Sequence, residues 1–225
     1  PSYWDFAEVG SNEEASDELL ERFGGTKPFD TPKPVRLMRR LLEIGTHAEG
    51  GDIVLDFFAG SGTMADAVLQ QNAADGGDRR FVMVQLPEAT SGDYETIADI
   101  TWARIQAAYA AIGAGPGQGF RSYSLAQSNF LSSDPIDQGE ELLLNPRTLR
   151  QPDVDVRSVA AQIFLMEGVT LDAPWVEHEF GDVSVEASGG VAVVIGSDVD
   201  EAIVAQVFDL EPQVVVFLED DLAGK

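Results

Sequence analysis

The chain has 225 residues, of which 44% are hydrophobic, and its formal net charge is −25. This length allows one large domain or two small ones with a buried core, and the acidic charge excludes the chain by itself as a clamp for DNA phosphates. The sequence contains no cysteine and two histidines, which excludes disulfides, thiolate metal sites, cysteine catalysis and multi-histidine metal sites.

The first predicted element is a helix that begins after Ser11 or Asn12, which are good N-cap residues, and ends near Phe23. A glycine–proline connector follows at residues 24–34. Pro34 suits the first position of a second helix. Apolar residues then recur at helical spacing, at Val35, Met38, Leu41 and Leu42.

Strands and helices alternate in the next part of the chain. Short apolar runs predict buried parallel strands at 53–57 and 81–86, and each run is followed by a helical pattern, at 61–72 and 94–112. A strand of alternating character is predicted at 120–125. This order is typical of a parallel sheet with right-handed crossovers, so we predict an α/β unit over residues 1–131.

Residues 132–155 are predicted to be a linker, and residues 156–225 a small α+β module without a catalytic signature. The elements expected in the module are a helix at 157–167, a hairpin of 182–187 with 191–195, a helix at 199–210 and a strand at 214–218.

The stretch "DIVLDFFAGSGTMADAVLQ" (52–70) predicts a ligand site at the end of the first parallel strand. Asp56 stands at the strand end, and Gly60 and Gly62 allow a tight turn and a close approach to the backbone. The helix that follows presents unpaired N–H groups and the positive end of its dipole. The carboxyl ends of parallel strands are where open α/β sheets bind ligands.

Two classes of ligand compete for this turn. The string "GSGTMA" satisfies the dinucleotide pattern G-x-G-x-x-A, which leaves a nicotinamide-dependent oxidoreductase as an alternative. However, an acid four positions before the first glycine would repel a pyrophosphate and would suit an ammonium group, as in the methionine part of S-adenosylmethionine. Gln85, at the end of the second strand, could hydrogen-bond ribose hydroxyls.

Three strings carry a resemblance to a known family: "LDFFAGSGT", "FDTPKPVRLMRRLL" before it, and "DGGDRRFVMVQLPE" after it. Together they resemble the methylation subunits of type III restriction-modification systems, which are β-class enzymes that methylate adenine at N6. The likeness extends to "YWDFAEVGSNEEASDELLERFGG", to "GFRSYSLAQSNF" and to residues 156–220. It implies a Rossmann-like S-adenosylmethionine-dependent methyltransferase sheet, present in part, followed by a small α+β module.

The resemblance also implies which residues bind S-adenosylmethionine. Motif I of the family matches Asp56, Phe58, Ala59, Gly60, Ser61, Gly62 and Thr63. Motif X matches Thr31, Pro32, Lys33 and Pro34, which would contribute to the same pocket. Gln85 falls where most relatives carry a ribose-binding acid, and the type III group itself favours Gln there. For Phe58 core packing, and for Lys33 an exposed connector position, remain the alternatives.

The catalytic motif of this family, D/N-P-P-Y/F, is missing. It needs adjacent prolines, and none of the eleven prolines has a proline neighbour; "SDPI" (133–136) is the nearest string. We therefore assign no catalytic residue and expect the chain to be the C-terminal part of a larger methyltransferase, inactive alone. A non-catalytic S-adenosylmethionine-binding or dimerisation module, either a remnant or the partner of a separately encoded catalytic half, is the alternative.

The expected partners follow from the same resemblance. We expect DNA to be bound through the missing N-terminal part of the full protein, the chain to form a homodimer, and a restriction subunit to be a candidate partner. No apolar run approaches the ~20 residues that a membrane span needs, and no signal peptide opens the chain. We therefore expect no membrane partner and a cytoplasmic location.

Overall fold

The computed structural model describes residues 3–115, 118–130, 154–196 and 199–218. The chain divides into two compact units, an N-terminal unit at Pro1–Ser122 and a C-terminal unit at Tyr123–Lys225. The predicted linker at 132–155 lies almost wholly outside the described residues, as does the "SDPI" string. None of the helices in the described ranges is both long and apolar enough to cross a membrane.

Three helices open the N-terminal unit: α1 (Phe6–Val9), α2 (Asn12–Arg22) and α3 (Val35–Gly45). The prediction for α2 is confirmed, including its cap, because the Ser11 side chain accepts a hydrogen bond from the backbone N–H of Glu14. The second predicted helix is present as α3, but Pro34 is its N-cap residue and Val35 is its first helical position, one residue later than predicted. The single turn of α1 is not predicted by the sequence pattern, because four residues are too few to show a period.

The centre of this unit is a parallel strand pair with a helix after each strand. The elements are β1 (Ile53–Asp56), α4 (Thr63–Asp75), β2 (Arg80–Met83) and α5 (Ile97–Ala111). The strands pair in parallel from Ile53 opposite Arg80 to Asp56 opposite Met83. The predicted order and the parallel pairing are therefore confirmed, although both strands are shorter than expected.

The two faces of this sheet differ in burial. Val54 and Phe81 point to the face that packs against α3 and α4. On the other face Ile53, Leu55 and Val82 are exposed, by 58%, 59% and 47%. The prediction that the strands are buried is thus wrong for this face, because α3 and α4 pack on the opposite one. Parallel sheets are ordinarily covered on both faces, so this bare face is unusual.

The strand predicted at residues 120–125 is wrong, because the structure assigns these residues to no strand of the described ranges. The Phe120 ring instead stacks on Tyr109 of α5, with ring centroids 5.9 Å apart, and Tyr123 donates its hydroxyl to the Leu171 carbonyl at 3.0 Å. The alternating apolar pattern is thus explained by aromatic packing rather than by a sheet.

The C-terminal unit contains α6 (Val156–Met166), β3 (Trp175–Phe180), β4 (Val183–Ser188), β5 (Val191–Ile195), α7 (Glu201–Asp209) and β6 (Val214–Phe217). The strands lie in the order β3-β4-β5-β6, and only β5 and β6 are parallel. α6 packs on one face of the sheet and α7 on the other. The predicted hairpin, helices and last strand are present. β3 is missed because Glu177, His178 and Glu179 interrupt its apolar pattern.

Arg79 holds the turn between α4 and β2. Its buried guanidinium donates to the Thr46 hydroxyl at 2.6 Å and pairs with Asp75 at 3.0 Å. Hydrogen bonds from Arg79 and then from Gln71 lower the pKa of Asp75 from 3.8 to about 2.

Asp75 should therefore stay ionised in acid, which carboxyl-carbon NMR can measure. Because the pKa of Asp75 is lower in the folded than in the unfolded protein, the Asp75–Arg79 pair stabilises the fold fully at pH values above the unfolded pKa. This stabilisation is lost as the pH falls through the folded pKa of about 2. We expect the Asp75 signal at pH 3 to be that of a carboxylate. Arg79→Gln should raise the midpoint towards 3.8, and Gln71→Ala should raise it less. An unshifted midpoint in the unmodified protein would contradict this prediction.

Candidate ligand site at the glycine turn

The turn after β1 depends on glycine at two positions. Gly60 and Gly62 have φ values of 54° and 79°, in the left-handed region that other residues rarely adopt. A Cβ added at Gly62 would also lie 3.1 Å from the backbone oxygen of Thr101 on α5. The backbone of this turn therefore requires both glycines, and α5 lies directly beneath it.

Gln85, just after β2, is hydrogen-bonded to the turn. Its side-chain Oε1 accepts the N–H of Gly60 at 2.8 Å, and its Nε2 donates to the Leu86 carbonyl at 3.1 Å. The Ala59 N–H also donates to the Val84 carbonyl at 3.1 Å, so the ends of the two strands are tied together. The structure thus brings Gln85 next to Gly60, where one of its polar atoms already supports the turn.

Asp56 lies at the tip of β1 and is partly exposed. Its Oδ1 accepts the N–H of Phe58 at 3.0 Å, which fixes the carboxylate beside the turn. Phe57 and Phe58 are 61% and 81% exposed, with their ring centroids 5.1 Å apart. Phe58 is therefore not packed in the core of this chain, and two aromatic rings lie beside a carboxylate that can accept hydrogen bonds from a cationic group.

The helix after the turn offers backbone donors. α4 begins at Thr63 with Gly62 as its N-cap, and no side chain caps its first N–H groups. Such a helix start favours an anionic or hydrogen-bond-accepting group of a ligand. The side chains of Ser61 and Thr63 are buried and bind Arg104, so these two residues can offer a ligand only their backbone.

The residues that match motif X lie near this turn without lining it directly. Thr31 and Lys33 are exposed and line a cavity of about 400 Å³ formed with Asn12, Glu13, Ser16, Lys27, Asp30 and Pro32. Pro34 is buried. The connector reaches the turn through Phe29, whose ring would lie 3.4 Å from a Cβ on Gly60. The structure therefore groups Asp56, Gly60 and Gln85, and places Thr31 and Lys33 in a separate cavity.

A buried ionic cluster lies beneath the turn. Asp66 of α4 is 1% exposed and binds Arg22 of α2 at 2.8 Å and Arg104 of α5 at 3.1 Å. Arg104 is fully buried, and burial lowers the pKa of its guanidinium while the Asp66 carboxylate opposes that shift. The cluster thus fixes α2, α4 and α5 relative to the turn.

Sequence analysis did not identify this cluster, although Arg104 carries one visible signal. It lies four residues from Ile100 and from Ala108, which share the buried face of α5. A charged residue within an apolar helical stripe indicates a buried partner of opposite charge. Which acid provides it cannot be read from the pattern, because Asp66 is 38 positions away. Across the described ranges, no group of three or more acidic or histidine residues could hold a metal ion.

Comparison with known proteins gives a consistent result. Residues 2–108 match the family model described as DNA methylase. The Mod subunit of the type III restriction-modification enzyme StyLTI from Salmonella typhimurium is 37% identical over 148 residues, which are 60% of this chain. The EcoPI Mod subunit from Escherichia phage P1 is 45% identical over 94 residues, 39% of this chain. The Type II methyltransferase M.KpnI from Klebsiella pneumoniae is 35% identical over 100 residues, 41% of this chain.

These matches cover a small share of each relative. The aligned segments span 22%, 14% and 23% of the StyLTI, EcoPI and KpnI proteins. The resemblance to type III methylation subunits that the sequence motifs indicate is confirmed over the matched part of the chain.

Proposed function

We propose that the chain supplies the S-adenosylmethionine-binding part of a DNA adenine-N6 methyltransferase, because residues 2–108 match the DNA methylase model and the chain is similar to type III Mod subunits. The observation that carries this proposal is the partly exposed Asp56 carboxylate beside a two-glycine turn at the carboxyl end of a parallel strand. In this proposal β1 and β2 are part of a Rossmann-like methyltransferase sheet.

The donors and acceptors around the turn fit this cofactor. Asp56 would bind the ammonium of its methionine part, and the uncapped N–H groups at the start of α4 would face the carboxylate. Gln85 would reach the ribose hydroxyls with its amide nitrogen, since its oxygen holds Gly60. The exposed Phe58 ring would lie against the adenine or methionine part. When bound, the cofactor supplies the electrophilic methyl group, and these residues orient it.

Residues of the connector at 24–34 are proposed to support the same cofactor pocket without contacting the cofactor directly. Thr31, Lys33 and Pro34 would contribute to the pocket indirectly, through Phe29 of the same connector, whose ring lies next to Gly60.

The proposed organisation follows the predicted boundaries. Residues 1–131 would be the cofactor-binding part, 132–155 a linker and 156–225 a module for assembly. The similarity to Mod subunits of type III restriction-modification enzymes supports DNA and a restriction subunit as partners of the full enzyme. The homodimer stays a prediction.

We propose further that a segment or subunit outside these 225 residues provides the pocket for the target base. An enzyme that acts on an exocyclic amine must extrude the base and hold it, and the family does so with adjacent prolines that this sequence lacks. The bare apolar face of β1 and β2, with Leu55 59% exposed, supports a partner there. The occupant we assign to that face is the polypeptide that carries the catalytic motif.

Calorimetry and a methyl-transfer assay test the proposed function. We expect the purified chain to bind S-adenosylmethionine and not NADH, because a carboxylate at the turn attracts an ammonium and repels a pyrophosphate. With tritiated S-adenosylmethionine we expect the chain alone to transfer no methyl group to DNA. Binding of NADH instead would favour the oxidoreductase, and methylation by the chain alone would show that the missing-motif argument is wrong.

A further inference from the structure

We propose that Thr101 and Arg104 of α5 are positioning residues for the glycine turn, which set its affinity for ligand without contacting the ligand. The identity of the ligand rests on the proposed function, whereas the effect on the turn does not. Both residues lie about 40 positions after the turn, outside every motif that the sequence analysis identified.

Thr101 binds the backbone of the turn directly. Its hydroxyl lies 2.6 Å from the carbonyl oxygen of Gly60 and 3.0 Å from that of Ile97 in its own helix. Its backbone oxygen bounds the space at Gly62, where a Cβ would come within 3.1 Å. One residue of α5 therefore restrains both glycines whose backbone forms the candidate site.

Arg104 binds the side chains between and after those glycines. Its Nη1 donates to the Thr63 hydroxyl at 2.9 Å and to the Ser61 hydroxyl at 3.2 Å. These hydrogen bonds come from a charged donor in a dry environment, where such bonds are stronger than neutral ones. Because Thr63 is the first residue of α4, Arg104 also fixes where the helix begins relative to the turn.

Asp66 anchors the guanidinium from the other side. Its Oδ2 accepts from the Arg104 Nε at 3.1 Å, and Arg22 and Gln70 bind the same carboxylate. Nη2 has no hydrogen-bond partner in the part of the chain that the structure describes. Asp66 is thus the acid that is hydrogen-bonded to the guanidinium among the described residues, and the guanidinium contacts the turn through Nη1.

Thr101 and Arg104 act from one face of the helix, because residues three apart are neighbours on a helix surface. A displacement of α5 would move the Gly60 carbonyl, Ser61 and Thr63 together. The N–H groups of the turn and of the α4 start would then lose their common orientation, which is what a bound ligand requires.

A purely structural role would lower stability without a specific effect on the turn, so the test needs a matched control. Ile105→Ala removes a buried side chain of α5 that is 3% exposed and forms no hydrogen bond with the turn. It should lower the melting temperature. Thr101→Val removes the hydroxyl with little change of shape, whereas Thr101→Ser keeps the hydroxyl.

The first readout is amide hydrogen exchange of Gly60–Thr63 in the ligand-free protein, measured by NMR against the exchange of α3. We expect about tenfold faster exchange at the turn in Thr101→Val, the effect of losing one hydrogen bond, and none in Thr101→Ser. Ile105→Ala should accelerate hydrogen exchange at the turn no more than it accelerates exchange in α3. Arg104→Lys, which keeps the charge and loses the planar fork, should also accelerate exchange at Ser61–Thr63.

The second readout is calorimetry with S-adenosylmethionine. We expect about tenfold weaker binding for Thr101→Val and Arg104→Lys, and unchanged binding for Thr101→Ser and Ile105→Ala. Unchanged turn exchange in both Thr101→Val and Arg104→Lys would overturn the proposal. If exchange at the turn is faster in these variants but neither they nor the unmodified protein bind S-adenosylmethionine, the proposed function is contradicted and the positioning role is supported.

Discussion

Replacing Asp66 with alanine is expected to destabilise the N-terminal unit by about 3–5 kcal/mol, the usual cost of breaking a buried ion pair by removing one partner. The carboxylate is 1% exposed and binds Arg22 and Arg104, and Arg104 is fully buried. Without Asp66 the buried Arg104 guanidinium would lose the carboxylate that is hydrogen-bonded to it. Asp66→Asn should cost less, because the amide oxygen can still accept a hydrogen bond.

Hydrogen exchange with mass spectrometry measures this effect separately in the two units. We expect faster exchange in α4 and α5 and no change in β4 and β5. Glu43→Gln is the matched control, because it breaks the surface ion pair of Glu43 with Arg40. The Arg40 and Glu43 side chains are 51% and 44% exposed, so we expect a loss of stability of about 0–1 kcal/mol. Equal effects of Asp66→Ala and Glu43→Gln would mean that the cluster contributes nothing specific.

Replacing Asp56 with asparagine is expected to weaken binding of S-adenosylmethionine about 10-fold to 100-fold, since a hydrogen bond to a charged group contributes about 1.5–3 kcal/mol. Asp56 is the acid at the strand tip, and asparagine keeps its shape and the hydrogen bond from Phe58. The variant should therefore fold normally, and the change should appear in the dissociation constant alone.

The matched control for Asp56→Asn is Asp52→Asn at the other end of β1. Asp52 is also partly exposed, but it accepts the backbone N–H of His47 at 2.8 Å, and that hydrogen bond lowers its pKa. We expect Asp52→Asn to leave affinity unchanged. Equal affinities of the two variants, measured by calorimetry, would remove Asp56 from the binding site.

Most helices of this protein are predictable because their signals are local. Ser11 caps α2 and Thr96 caps α5 through hydrogen bonds within three residues, and the apolar spacing of α6 shows directly in its sequence. Strands are less predictable, because a strand depends on a partner that may be distant in sequence. Residues 120–125 have the alternating pattern but join no strand among the described residues, whereas β3 has a partner strand but an interrupted pattern.

The sequence by itself determined the glycine turn and the acid before it, because φ values that favour glycine and the position of a residue at a strand end are local properties. The resemblance to type III methylation subunits could also be read from the sequence, since the motifs lie in short contiguous strings. Only the tertiary structure decided that Thr101 and Arg104 hold the turn, that Asp66 pairs with Arg104, and that one face of β1 and β2 is bare. The two contacts of Arg104 and Thr101 depend on side chains about 40 residues apart meeting when α5 packs on α4, and the bare face depends on α3 and α4 packing on the opposite one. No local pattern specifies this packing.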